Sequence, residues 1–212
     1  MDLDIDHSGK VIAGYSDGMV REFTFKTSSG QFELLRFWKA HQNAVLQVGR
    51  VGRFAFTSSS GGEVALWDAE GGEMWKRRVL TAGVDVVDSY CLQDGFLLAV
   101  AGDSGDLVAL KFNENGEERW EVREEGAHGA AIHGLRLLTA RDILTCSIDQ
   151  RLSHWVLSGG TEFTLKDQVM INVADVGCME VSPLPARDKN EKTWLVAIGG
   201  VGIENLHFTL TS

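Results

Sequence analysis

The sequence predicts an all-β repeat fold. One strand–turn–strand layout recurs along the chain at constant spacing, and no segment carries the apolar period of a useful amphipathic helix. In the first copy, the apolar run 11–14 is followed by a turn at Ser16-Asp17-Gly18 and a second run at 19–23. The second copy has runs 54–57 and 64–67 around Ser60-Gly61-Gly62. In the third, runs 96–101 and 107–111 flank Asp103-Ser104-Gly105. The fourth places 143–146 and 152–155 around Ile148-Asp149-Gln150. Val, Ile, Leu and Phe fill these runs, which suits strands, and glycine-rich turns between paired runs suit hairpins. The runs are almost unbroken in apolar character, as expected of strands covered on both faces.

Phe23, Trp67, Lys111 and Trp155 occupy equivalent positions, and each step between them is 44 residues. A unit of ~40–45 residues built from paired strands is a WD-type β-propeller blade, whereas leucine-rich and ankyrin units are shorter. The fold class read from the sequence is therefore an all-β WD-repeat β-propeller of about five blade units, as one segment over 1–212 (units approximately 1–25, 40–68, 83–112, 127–157 and 172–208). The fifth unit, with strand 194–198, turn 199–202 and strand 203–208, arrives later than the period requires; the polar insert at 184–191 accounts for the delay. Five units are fewer than most WD propellers close with. The expectation is a partial propeller, the C-terminal part of a longer protein or a truncated gene product, with exposed blade faces and strand edges at its ends.

Residue detail points the same way. WD blades carry a Gly-His or Ala-His pair ahead of the strand pair, and Ala40-His41 and Ala127-His128 stand there, their histidines 87 residues apart. In the fourth unit Asp149 lies six residues before Trp155. His128, Thr145, Asp149 and Trp155 are expected to form a buried hydrogen-bonded network, since each polar group would be costly to bury alone. The first unit keeps Asp17 but has Phe23 in place of Trp. The second has His41 and Trp67 but Gly61 at the Asp position, and the third has lost all three. On this reading one unit in five carries the complete set.

Composition narrows the function. The chain is 44% hydrophobic and carries a formal net charge of −10, so a broad phosphate-gripping surface is not expected. Its three cysteines (Cys91, Cys146 and Cys178) are widely spaced, which fits reduced thiols in a cytoplasmic protein. No window approaches about 18 unbroken apolar residues, so no membrane-spanning helix is expected. Catalytic, cofactor-binding and metal sites are all read as none. His41 and His128 are explained by the repeat, and His133 and His154 have no ligand-type residue at zinc-like spacing. Gly199-Gly200-Val201-Gly202 lacks the third glycine and the helix of a dinucleotide fingerprint. Gly102-Asp103-Ser104-Gly105 lacks the closing glycine of a nucleophile elbow. Lys76-Arg77-Arg78 and the acidic pairs Glu117-Glu118 and Glu124-Glu125 are read as solvated surface and link residues.

The last third is more distinctive. Ser147-Ile148-Asp149-Gln150-Arg151-Leu152 with Trp155 is followed by Val173-Ala174-Asp175-Val176, Cys178 and Val181-Ser182-Pro183. Ala197-Ile198-Gly199-Gly200 then leads through Gly202 to Ile203-Glu204. This order resembles the C-terminal portion of the WD-repeat-containing protein six family, the WD-repeat partner subunit of the tRNA wobble 2'-O-ribose methyltransferase. The resemblance implies a non-catalytic scaffold bound to a methyltransferase that itself carries S-adenosylmethionine, with tRNA engaged through the complex and no small-molecule substrate. The alternative is a generic WD-repeat adaptor for ubiquitin-ligase or signalling assemblies.

Overall fold

A computed structural model of the chain describes residues 2–6, 8–185 and 191–211; of the polar insert, residues 186–190 lie outside the described residues. Every described element is a strand, and no helix is long and apolar enough to cross a membrane. The strands form five antiparallel sheets, each a meander in chain order. Blade one comprises β1 (Asp2–Ile5), β2 (Lys10–Gly14), β3 (Met19–Lys26) and β4 (Gln31–Lys39). Blade two comprises β5 (Val45–Val51), β6 (Phe54–Ser59), β7 (Glu63–Trp67) and β8 (Glu73–Arg78). Blade three has β9 (Val86–Leu92), β10 (Gly95–Ala101), β11 (Leu107–Asn113) and β12 (Glu118–Glu124). Blade four has β13 (Ile132–Leu137), β14 (Asp142–Ser147), β15 (Arg151–Ser158) and β16 (Glu162–Met170). Blade five pairs β17 (Ala174–Pro183) with the long β18 (Glu191–Thr211). The all-β propeller of about five units is the architecture observed.

The third strands of the four complete blades begin at Met19, Glu63, Leu107 and Arg151, which reproduces the 44-residue period. Each complete blade also has an outer fourth strand beyond the strand pair that carries the repeat. Glu118 and Glu124, read above as link residues, are the end residues of one of them, β12. In β18 the Oγ1 atoms of Thr193 and Thr209 lie 3.2 Å apart, so this strand doubles back on itself around the glycine turn. Gly202 takes a positive φ of 115° there.

Burial follows from blades stacking face to face, with the first strands of successive blades lying against one another. Four buried clusters fill the four interfaces. Ile12, Val20, Val45, Val48 and Trp67 lie between blades one and two. Phe54, Phe56, Leu66, Phe96 and Phe112 lie between two and three. Leu97, Leu107, Ile132, Ile143 and Trp155 follow, and then Leu144, Cys146, Val176, Val196 and Ile198. Phe96 stacks on Phe112 at 5.1 Å, and Trp75 meets the edge of Phe112 at 5.1 Å; such aromatic pairs add to area burial. Packing is tight enough to require glycine at Gly134, where a Cβ would lie 2.5 Å from the Met179 Cβ on the next blade. At the two ends of the stack large apolar side chains face outward: Phe32 and Phe37 on β4, and Val201 and Ile203 on β18.

Candidate functional site

The structure brings His128, Thr145, Asp149 and Trp155 together as one directional chain of hydrogen bonds. Trp155 Nε1–H donates to Thr145 Oγ1 at 3.0 Å. Thr145 has its hydroxyl 2.8 Å from His128 Nε2, and His128 Nδ1 lies 3.1 Å from both Asp149 oxygens. An indole can only donate and a carboxylate can only accept, so the ends of the chain set its direction. Thr145 O–H donates to Nε2, and Nδ1–H donates to Asp149. Asp149 also accepts the backbone N–H groups of Gly129 (3.0 Å) and Arg151 (3.1 Å). Thr145 and His128 are buried. Burial holds the His128 pKa below its ordinary value despite the pull of Asp149. Burial also pushes the Asp149 carboxyl upward, but the Gly129 N–H and the His128 charge outweigh it and the net direction is down. The network joins the segment before β13 to β14, the β14–β15 turn and β15.

Blade two carries a second complete network, contrary to the expectation of one. Trp67 Nε1–H donates to Thr57 Oγ1 at 2.9 Å, Thr57 lies 2.8 Å from His41 Nε2, and His41 Nδ1 lies 3.0 Å from Glu63 Oε2. Glu63 stands two residues beyond Gly61, at the start of β7, and its longer side chain reaches back to the place that Asp149 fills in blade four. Lys76 sits 3.8 Å from Glu63 and donates to the Ala40 carbonyl at 2.9 Å. In blade one, Asp17 instead accepts from Met19 N–H and Arg21 at the surface. In blade three, Lys111 at the Trp position pairs with Asp94.

The basic cluster is only partly solvated surface. Besides the Lys76 contacts, Arg77 pairs across blades with Glu121 and, at 3.4 Å, with Glu118; Arg78 is exposed. Glu118 in turn accepts from Trp75 Nε1–H at 2.9 Å. These bonds tie β8 to β12. Gly102-Asp103-Ser104-Gly105 closes the β10–β11 hairpin, with Gly105 N–H donating to the Gly102 carbonyl. Burial pushes the Cys146 thiol up to about 12, whereas Cys91 and Cys178 are exposed.

His154 Nε2 lies 3.0 Å from Asp142 Oδ1. His133 is placed differently from what its sequence neighbours suggest. Asp85, from the link before β9, and Asp103, from the β10–β11 turn, come to it in space, and their ligand-type atoms all lie within 4.8 Å of one another. Burial, then the Asp103 charge, push the Asp85 carboxyl up to about 6. Separations of 18 and 30 residues on three different elements hide this grouping from any local motif.

No protein-family model matches the chain. Among curated proteins, the tRNA (34-2'-O)-methyltransferase regulator WDR6 of Bos taurus is 27% identical over 243 aligned positions, covering 92% of this chain. WDR6 of Mus musculus is 26% identical over 237, covering 86%. WDR6 of Homo sapiens is 36% identical over 80 residues, covering 37% of this chain. The chain spans about a fifth of the length of the cattle and mouse proteins, 21% of each. Among solved structures, a chain of the mitotic checkpoint complex superposes with a TM-score of 0.66 at 14% identity, covering 99% of this chain and 64% of that one. The WD40 β-propeller domain of Doa1 superposes with a TM-score of 0.68 at 17% identity, covering 97% and 62%. At those identities the likeness is one of fold alone. By fold this chain is a WD-repeat β-propeller, and in sequence it is similar to the WDR6 regulators over most of its length.

Proposed function

We propose that the chain is a non-catalytic WD-repeat scaffold that supports 2'-O-ribose methylation of the tRNA wobble nucleotide by a partner methyltransferase in the cytoplasm. The observation that carries this reading is the likeness to WDR6 regulators over 92% of the chain, which reaches beyond the last blades to the whole set. The polar network of blade four is structural on this reading, since its side chains are spent on one another and His128, Thr145 and Trp155 are buried. The acidic surface disfavours broad tRNA binding by this chain alone, so tRNA is engaged through the complex. The outward-facing apolar side chains of blades one and five give a protein partner something to cover.

The test is affinity capture of the tagged chain from its own cells, with the bound proteins identified by mass spectrometry. Recovery of a tRNA ribose methyltransferase is the expected result. Capture of a different assembly with no methyltransferase in it would overturn the reading in favour of a generic adaptor.

A further inference from the structure

Asp85, Asp103 and His133 are held together by the backbone around them. Asp103 N–H donates to the Gly83 carbonyl (3.1 Å) and Ile132 N–H to the Gly102 carbonyl (3.0 Å), which fastens the link before β9, the β10–β11 turn and the start of β13 to one another. Two glycines permit the approach. A Cβ on Gly83 would lie 2.6 Å from Asp103 Oδ2, and one on Gly102 would lie 2.1 Å from the Gly83 carbonyl oxygen.

The donor set is poised. His133 Nδ1 lies 2.7 Å from the Val176 carbonyl oxygen on β17. A carbonyl only accepts, so Nδ1 carries a proton, and Nε2 is the nitrogen left to take a metal ion. An imidazole whose far N–H is anchored on a backbone carbonyl is the arrangement that orients histidine ligands at metal centres. Asp85 Oδ2 is shut off from solvent and has no hydrogen-bond partner. Among the described residues neither Asp85 nor Asp103 pairs with a lysine or arginine. Two carboxylates this close repel one another, and a divalent cation held between them would relieve that repulsion.

We propose that Asp85, Asp103 and His133 form a binding site for a divalent transition-metal ion, where the β10–β11 turn meets the starts of β9 and β13. One imidazole nitrogen and two carboxylates suit zinc and its first-row neighbours better than the all-oxygen shells of calcium or magnesium. Three protein ligands leave a coordination position for water or a further ligand. The site spans blades three and four, and through Val176 it touches blade five, so an ion there would cross-link three blades.

The test is calorimetric titration of Zn²⁺ into the chelator-treated full chain at neutral pH, in a Cys91→Ser, Cys178→Ser background that removes the exposed thiols. One equivalent is expected, with a rise in the thermal midpoint. Asp103→Asn, in an exposed turn, and His133→Gln are each expected to weaken binding at least tenfold. His154→Ala is expected to leave it unchanged. Circular dichroism confirms that each variant is folded, and Asp103→Asn alone suffices should His133→Gln unfold. No stoichiometric binding, or binding that Asp103→Asn leaves intact, would overturn the proposal.

Discussion

Replacing Asp149 with alanine removes the acceptor at the end of the blade-four network. In the native protein its oxygens lie 3.1 Å from His128 Nδ1, and they also take the N–H groups of Gly129 and Arg151. The two backbone donors sit at the surface, where water replaces the carboxylate. His128 does not, because its side chain is fully buried. The cost is therefore chiefly one buried donor left unsatisfied, about 1–3 kcal/mol. Urea unfolding followed by tryptophan fluorescence measures it. With a slope of about 2 kcal/mol per molar, the midpoint falls by roughly 0.5–1.5 M. Asp149→Asn retains an acceptor oxygen and recovers part of the loss. Asp17→Ala, at the equivalent turn of blade one but with no histidine behind it, shifts the midpoint less. An unchanged midpoint for Asp149→Ala, or an equal shift for Asp17→Ala, would refute the reasoning.

Three further outcomes are expected. Glu63→Ala strands the His41 N–H of blade two and costs a similar ~1–3 kcal/mol by the same denaturation assay; Glu63→Asp is too short to restore it. Burial holds His41 and His128 below the ordinary value of 6.5, so the folded chain binds fewer protons than the unfolded one just beneath that pH. Their stability contribution is whole above pH 6.5 and is lost as pH falls through the lowered native values, which thermal midpoints measured down a pH series will show. Gln150 adopts a φ of 61° where the first two repeats place Gly18 and Gly62. Gln150→Gly relieves the left-handed strain and raises stability by about 1 kcal/mol, read from the urea midpoint.

What could be read from the sequence follows from where burial is two-sided. The second and third strands of blades two to four are covered on both faces, so β10 and β11 appear as nearly continuous apolar runs and keep the 44-residue period visible. The outer strands are covered on one face at most. Glu118–Glu124 and Glu162–Met170 mix charged and apolar residues and therefore resemble links. The Asp149 network was legible because its acidic residue sits in the turn at the spacing the motif demands. Its counterpart in blade two was not, because Glu63 reaches the same place from two positions further on. The Asp85, Asp103 and His133 grouping exists only once blades three and four are stacked. No property of those three residues along the chain announces it.

The measurement that bears most directly on the scaffold account is the extent of 2'-O-methylation at the tRNA wobble ribose in cells whose gene for this chain has been removed. The account predicts loss of the methyl group from the affected tRNAs and its return on re-expression. Methylation that persists undiminished without the chain would contradict it.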